Sequence, residues 1–298
     1  MRFRFVAGGA GARLVTCAAI ALSVISLAAC GEDRKPASAD GKVDAVAGFY
    51  PLQFATARIG GDRVSVTNLV QPGTEPHDLE LKPSQIIKIA NADLVVYLHG
   101  LQPELDKAVA EDRAKGLDVT TISPLVGGDP HVWLDPVRFA AIADAIAARL
   151  AQLDPGHAAD YAARGAALHD ELTQLDNEFA AGLKTCLRHE IFTSHAAFGY
   201  PAKRYGLQQI ALTGLSPDTE PTPKHLAEVA QQARDKHATT IFFEALVSPR
   251  VARTLATEVG AKAAVLDPIE GLEPGSAGDY LSVMRGNLAA LRDALGCS

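Results

Sequence analysis

The chain has 298 residues, 48% of them hydrophobic and 21% charged, so it can bury a substantial core and is not a disordered polymer. Its formal net charge is -7, and because residues 1–29 carry three Arg and no acid, the remainder sits at -10. That balance argues against nucleic acid and against a polybasic membrane-binding patch.

In chain order, the N-terminus reads as a processing segment. Arg2, Arg4 and Arg13 form a basic start, Leu14 to Ala29 is a short apolar run, and Leu27-Ala28-Ala29-Cys30-Gly31 follows it. The run is shorter than the roughly 20 residues of a membrane span, and small residues after it mark a secretory cleavage site. The cysteine directly after that site resembles the bacterial lipobox, which implies that residues 1–29 are a lipoprotein signal peptide and that Cys30 is the lipidated first residue of the mature chain. Residues 30–42, rich in Asp, Lys, Pro, Ser and Gly, read as a tether. Of four cysteines, Cys186 and Cys297 are left in an oxidising compartment. We expect them to be bridged, two free thiols being the other reading.

From Lys42 onward, apolar runs alternate with amphipathic stretches. The pattern predicts strands over Val43–Phe49, Val64–Val70, Leu94–Leu98 and Leu117–Ile122. Helices are predicted over Pro51–Ile59, Lys82–Asn91, Pro103–Asp112 and Val137–Leu153. Pro155 opens a long helical stretch to about Leu183, with Tyr161, Leu168, Leu172, Leu175 and Phe179 on one stripe. The plan then repeats. Strands are predicted over Glu190–Thr193, Gln208–Thr213, Thr239–Phe243 and Ala263–Leu266. Helices are predicted over Phe198–Tyr205, from the Thr222 cap to about Lys236, and over Arg250–Val259 and Asp279–Leu295. Such βα alternation implies mainly parallel sheets. The expected fold is α/β with two lobes, residues 43–153 and 185–298, each a four-stranded sheet flanked by helices, joined by one rigid helix over 154–184.

Three histidines follow the carboxyl ends of predicted strands, where open α/β sheets bind ligands. They are His77 in Glu75-Pro76-His77-Asp78, His131 in Asp129-Pro130-His131-Val132-Trp133-Leu134-Asp135-Pro136, and His195 in Thr193-Ser194-His195. A late loop, Asp267-Pro268-Ile269-Glu270, adds carboxylates. Three neutral imidazoles and one carboxylate suit tetrahedral Zn²⁺; carboxylate-rich sets favour Mn²⁺. Asp267 and Glu270 both remain open as the fourth ligand. Glu75, Asp78 and Glu244 are candidates to orient ligand imidazoles from behind. His157, His169, His225, His237 and His189 lie among polar neighbours and read as surface residues, whereas His99 ends a strand.

These loops, in this order, resemble the cluster A-I metal-binding proteins of ABC importers, in the zinc-uptake branch of ZnuA and AdcA type. The resemblance covers about residues 43 to 296. It implies a metal-binding protein rather than an enzyme, with Zn²⁺ as transported ligand in the cleft between lobes. It also implies a permease and its ATPase as partners, a monomer, and anchorage through Cys30 to the outer face of the cell membrane. Manganese-selective relatives tend to carry glutamate where His195 stands, so the resemblance favours zinc over Mn²⁺. Asp267 matches an aspartate used in some relatives, and Glu270 a glutamate used in others. Many zinc members insert a histidine-rich loop before the second ligand; here Ser123–Asp129 is short and lacks histidine. The other class able to use such ligands is an exported zinc hydrolase with Glu270 or Glu244 as base, but no HExxH motif is present.

Overall fold

The computed structural model describes residues 41–298. The signal segment, Cys30 and all but the last two residues of the tether lie outside the described residues. Among the described residues no helix is long and apolar enough to cross a membrane.

Two four-stranded sheets organise the chain. In the first, β1 (Val43–Ala47) pairs in parallel with β2 (Val64–Asn68) on one side and β3 (Leu94–Tyr97) on the other, and β4 (Gly116–Asp118) extends the β3 edge. The second sheet repeats this order, with β5 (Glu190–Thr193) between β6 (Gln208–Ala211) and β7 (Thr240–Phe243), and β8 (Lys262–Val265) beyond β7. Central parallel strands are covered on both faces, which is why β1 and β3 read as nearly continuous apolar runs. In both sheets the order reverses beside the central strand, and ligands collect at such switch points.

The helices are α1 (Tyr50–Gly60), α2 (Pro83–Asn91), α3 (Pro103–Ala110), α4 (Pro136–Leu153), α5 (Ala158–Gly182), α6 (Gly199–Arg204), α7 (Pro223–Asp235), α8 (Arg250–Val259) and α9 (Tyr280–Leu295). Their starts follow local chemistry. Pro sits at the first turn of α1, α2, α3, α4 and α7, where its missing N–H costs nothing. Asp135 caps α4 by accepting from Val137 and Arg138 N–H, and Thr222 caps α7 through His225 N–H. The strand expected over Leu117–Ile122 ends early. Asp118 accepts from Thr120 N–H and folds the next three residues into a 3₁₀ turn.

With 25 residues, α5 is about 37 Å long. Its stripe of Tyr161, Leu168, Leu172, Leu175 and Phe179 is buried, as the sequence spacing predicts. It packs against α1 and α4 of the first half and against α9 of the second. Gly165 makes room for Ala147 there, since a Cβ would fall 2.7 Å from the alanine methyl.

One continuous core runs through both halves, from Phe49, Leu52 and Ile59 through Trp133 and Phe139 to Ile191, Phe242, Leu266 and Tyr280. The ring of Tyr280 lies 4.6 Å from that of Phe139, and its hydroxyl donates to the Trp133 carbonyl at 2.5 Å. Two smaller clusters fill the outer faces, one beneath α2 and α3 and one beneath α7 and α8. Cys186 and Cys297 are disulfide-bonded, which fastens the C-terminus to the segment entering β5.

Candidate metal centre

Four loops meet where the two sheets present their carboxyl ends. His77 lies in the loop after β2, His131 after β4, His195 directly after β5, and Glu270 after β8. Each loop is fixed by hydrogen bonds of its own. Buried Gln102 donates to the carbonyls of Gly48 and Pro76, tying the His77 loop to the end of β1. The backbone of His195 is held by Thr193 Oγ1 and Gln209 Nε2, both donating to its carbonyl.

The side chains converge on one oxygen. Glu270 Oε1 lies 3.2 Å from His77 Nε2, 3.0 Å from His131 Nε2 and 3.6 Å from His195 Nε2. The two nearest imidazoles, His131 and His195, approach to 3.2 Å between their Nε2 atoms. One ligand atom from each of the four residues lies within 4.8 Å of the others. His131, His195 and Glu270 are essentially inaccessible, whereas the His77 side chain retains 12% exposure.

The imidazoles are oriented from behind. Asp129 Oδ1 accepts from His131 N–H at 3.0 Å and sits 2.7 Å from its Nδ1, leaving Nε2 for the centre. Glu244 Oε1 lies 2.6 Å from His195 Nδ1, off the ideal hydrogen-bond direction, and also accepts from Ser194 Oγ. Glu75 accepts from the backbone N–H of His77 at 3.3 Å and is near enough to Glu270 to feel its charge.

The expected residues therefore divide. The structure brings His77, His131, His195 and Glu270 together, with Glu75 and Glu244 beside them. Asp267 is not in the cluster. Its Oδ1 accepts from Ile269 N–H, its own N–H donates to Asn287 Oδ1, and Asn287 returns a bond to its carbonyl. Trp133 Nε1 adds a bond to the Pro268 carbonyl. This lattice holds buried Ile269 at φ 58°, a region β-branched residues rarely occupy, and the reversed residue aims Glu270 inward. Asp78 is exposed and faces Asp218 rather than an imidazole, and the like charge raises its pKa. His99 lies at the surface beside Asp106. Asp129 is the residue that spacing alone does not single out. Its signal was a short acid two positions before a histidine, the geometry of an Asx turn.

Charge in the centre is unbalanced toward the negative. Burial pushes the His195 pKa down, but Glu244 and Glu270 more than offset it and carry it to about 10. His131 is raised in the same way, burial being outweighed by Asp129 and Glu270. Burial favours a neutral Glu270, yet the three imidazoles hold its carboxylate ionised well below the usual range. Burial and the charge of Glu270 push Glu75 to about 9, so it is a neutral acid at pH 7. Burial raises Asp267 to about 6 against the bond from Ile269. The chemistry is that of a cradle built for positive charge, filled by protons or by a cation.

The model of the family described as Zinc-uptake complex component A, periplasmic, matches residues 45–294. The chain belongs to this family. Among the relatives of this zinc-uptake component is the high-affinity zinc uptake system protein ZnuA of Bacillus subtilis, 34% identical, the match covering 93% of this chain and 96% of that protein. The zinc-binding lipoprotein AdcA of Streptococcus pneumoniae is 35% identical over 91% of this chain, which spans 59% of AdcA's length. Among solved structures, the Zn(II)-bound ZnuA-like domain of that AdcA superposes with a TM-score of 0.76 at 34% identity, covering 86% of this chain and 99% of the domain. The laminin-binding protein Lmb of Streptococcus agalactiae, described as bifunctional with adhesin and metal-transporting activity, gives 0.77 at 32% identity over 85% of this chain and 99% of Lmb.

Proposed function

We propose that this chain is the extracytoplasmic receptor of a zinc importer. In this reading it takes Zn²⁺ through the Nε2 atoms of His77, His131 and His195 and a carboxylate oxygen of Glu270, then hands the ion to an ABC permease driven by its ATPase. Asp267 serves the loop, not the ion. The mature chain begins at Cys30 and is held by lipid to the outer face of the cell membrane.

The observation that carries the reading is the convergence of three imidazole nitrogens on one buried carboxylate oxygen, at 3.0–3.6 Å. A tetrahedral shell with Zn–N near 2.0–2.1 Å separates its ligand atoms by about 3.3 Å, so the cluster needs little rearrangement to close on the ion. Imidazole-rich sets favour zinc over harder cations such as Mn²⁺. The names of the relatives point the same way. A hydrolytic zinc site would keep one coordination position for water; four protein donors close the shell, which is what capture and release require.

Equilibrium dialysis with elemental analysis tests the proposal. The wild-type chain is expected to retain one Zn²⁺, His131→Ala to lose it, and equimolar Mn²⁺ to leave the loaded ion in place. Retention of zinc by His131→Ala, or displacement by Mn²⁺, would reject it.

A further inference from the structure

Asp129 stands between the halves of the molecule. Its Oδ1 holds His131 by both the backbone N–H and Nδ1. Its Oδ2 faces Gly199, the first residue of α6 in the other half. A Cβ built on Gly199 would lie 2.7 Å from that oxygen, closer than non-bonded atoms approach. The φ of Gly199 lies outside the left-handed region that favours glycine. Glycine is also a poor helix former. What this position needs is space, and the space is taken by a carboxylate from across the seam. The neighbouring Tyr200 fixes the same loop: its hydroxyl donates to the Asp129 carbonyl at 2.8 Å and accepts from Val126 N–H at 2.9 Å. The segment that brings His195 to the centre thus also buttresses the group that orients His131.

We propose that Gly199 is a positioning residue for the bound cation, its missing side chain letting the Asp129 carboxylate seat against α6 and turn His131 Nε2 toward Glu270. Packing of the two halves and orientation of a ligand from the first half then become one event. The inference rests on the zinc reading above, and it concerns how His131 is held rather than which ion is bound.

A double-mutant cycle on the full chain tests it, with Zn²⁺ affinity measured by competition against a chromophoric chelator. Gly199→Ala is expected to weaken Zn²⁺ by about tenfold and Asp129→Ala by about 10–100-fold, the range for groups behind a ligand imidazole. In the Asp129→Ala background, Gly199→Ala should add less than about twofold, because no carboxylate remains to be displaced. The Co²⁺-loaded Gly199→Ala chain should also show shifted visible bands. If Gly199→Ala alone does not fold, the double variant with Asp129→Ala, in which the space is free, should fold and bind Zn²⁺ within about twofold of Asp129→Ala; a double variant that also fails to fold overturns the inference. Wild-type affinity in Gly199→Ala, or an equal loss in both backgrounds, overturns the inference while leaving the zinc reading intact. A wild-type chain that binds no Zn²⁺ overturns both.

Discussion

Two of the three imidazoles are held by a carboxylate at Nδ1, Asp129 for His131 and Glu244 for His195, so each shows Nε2 to the centre. These contacts also raise both pKa values, that of His195 to about 10. The sign follows directly. At pH 7 the metal-free His195 carries a proton, and Zn²⁺ needs the imidazole neutral, so the ion displaces a proton as it binds. Calorimetry in buffers of different ionisation enthalpy is expected to show proton release at pH 7, with affinity rising from pH 6 toward pH 10. A buffer-independent enthalpy would contradict the geometry. The two late carboxylates are expected to separate by phenotype. Glu270→Ala should weaken zinc by more than the roughly 100-fold that outer groups reach. Asp267→Ala should instead lower stability by about 1–3 kcal/mol, since it leaves the buried Ile269 N–H unpartnered. The histidines were legible because each lies in a segment that follows the carboxyl end of a predicted strand, and Glu244 because it directly follows one. The choice between Asp267 and Glu270 was not legible. It turns on one reversed backbone angle at Ile269, which bonds from Trp133 and Asn287, remote in sequence, hold in place.

At the scale of elements, α9 does more than close the chain. Its first residue, Tyr280, packs on Phe139 and Phe54; Asn287 in its middle clasps Asp267; and its end leads to Cys297, bonded to Cys186. The disulfide closes a loop of 111 residues, but the Glu270 loop is gripped by Asn287 and Trp133, not by sulfur. Replacing both cysteines by alanine is therefore expected to cost about 2–5 kcal/mol in denaturant unfolding while leaving zinc affinity within about twofold of wild type. Trp133→Phe should do the reverse in emphasis. It frees the Pro268 carbonyl, lowering stability by about 1–2 kcal/mol and also weakening zinc, because Glu270 lies two residues on. Most elements were readable from the sequence through period, proline and caps, and α5 was marked by its stripe. The end of the fourth strand was not, because the turn at Asp118 competes locally with strand pairing and wins.

Across the whole molecule, what the alternating pattern did not reveal is that the halves share a core. Sequence periodicity shows which face of an element is apolar, not which partner covers it. Here α1, α4, α5 and α9 bury those faces together, and the same hydrophobic cluster holds Phe49 and Leu52 at one end and Phe242 and Leu266 at the other. A shared interior couples the halves in unfolding, as two separately cored domains would not be. The single tryptophan reports on the join. Trp133 is buried, packs 4.7 Å from Phe49 and 5.2 Å from the His131 ring, and bonds to the Glu270 loop. On heating, its near-ultraviolet signal and the far-ultraviolet helix signal are expected to fall in one transition. Free Zn²⁺ at about 100 times its dissociation constant should move both together, by about 2.7 kcal/mol of added stability. Were the tryptophan signal lost first, with helices persisting to higher temperature, the halves would be separable units and the ion would be held by docking alone.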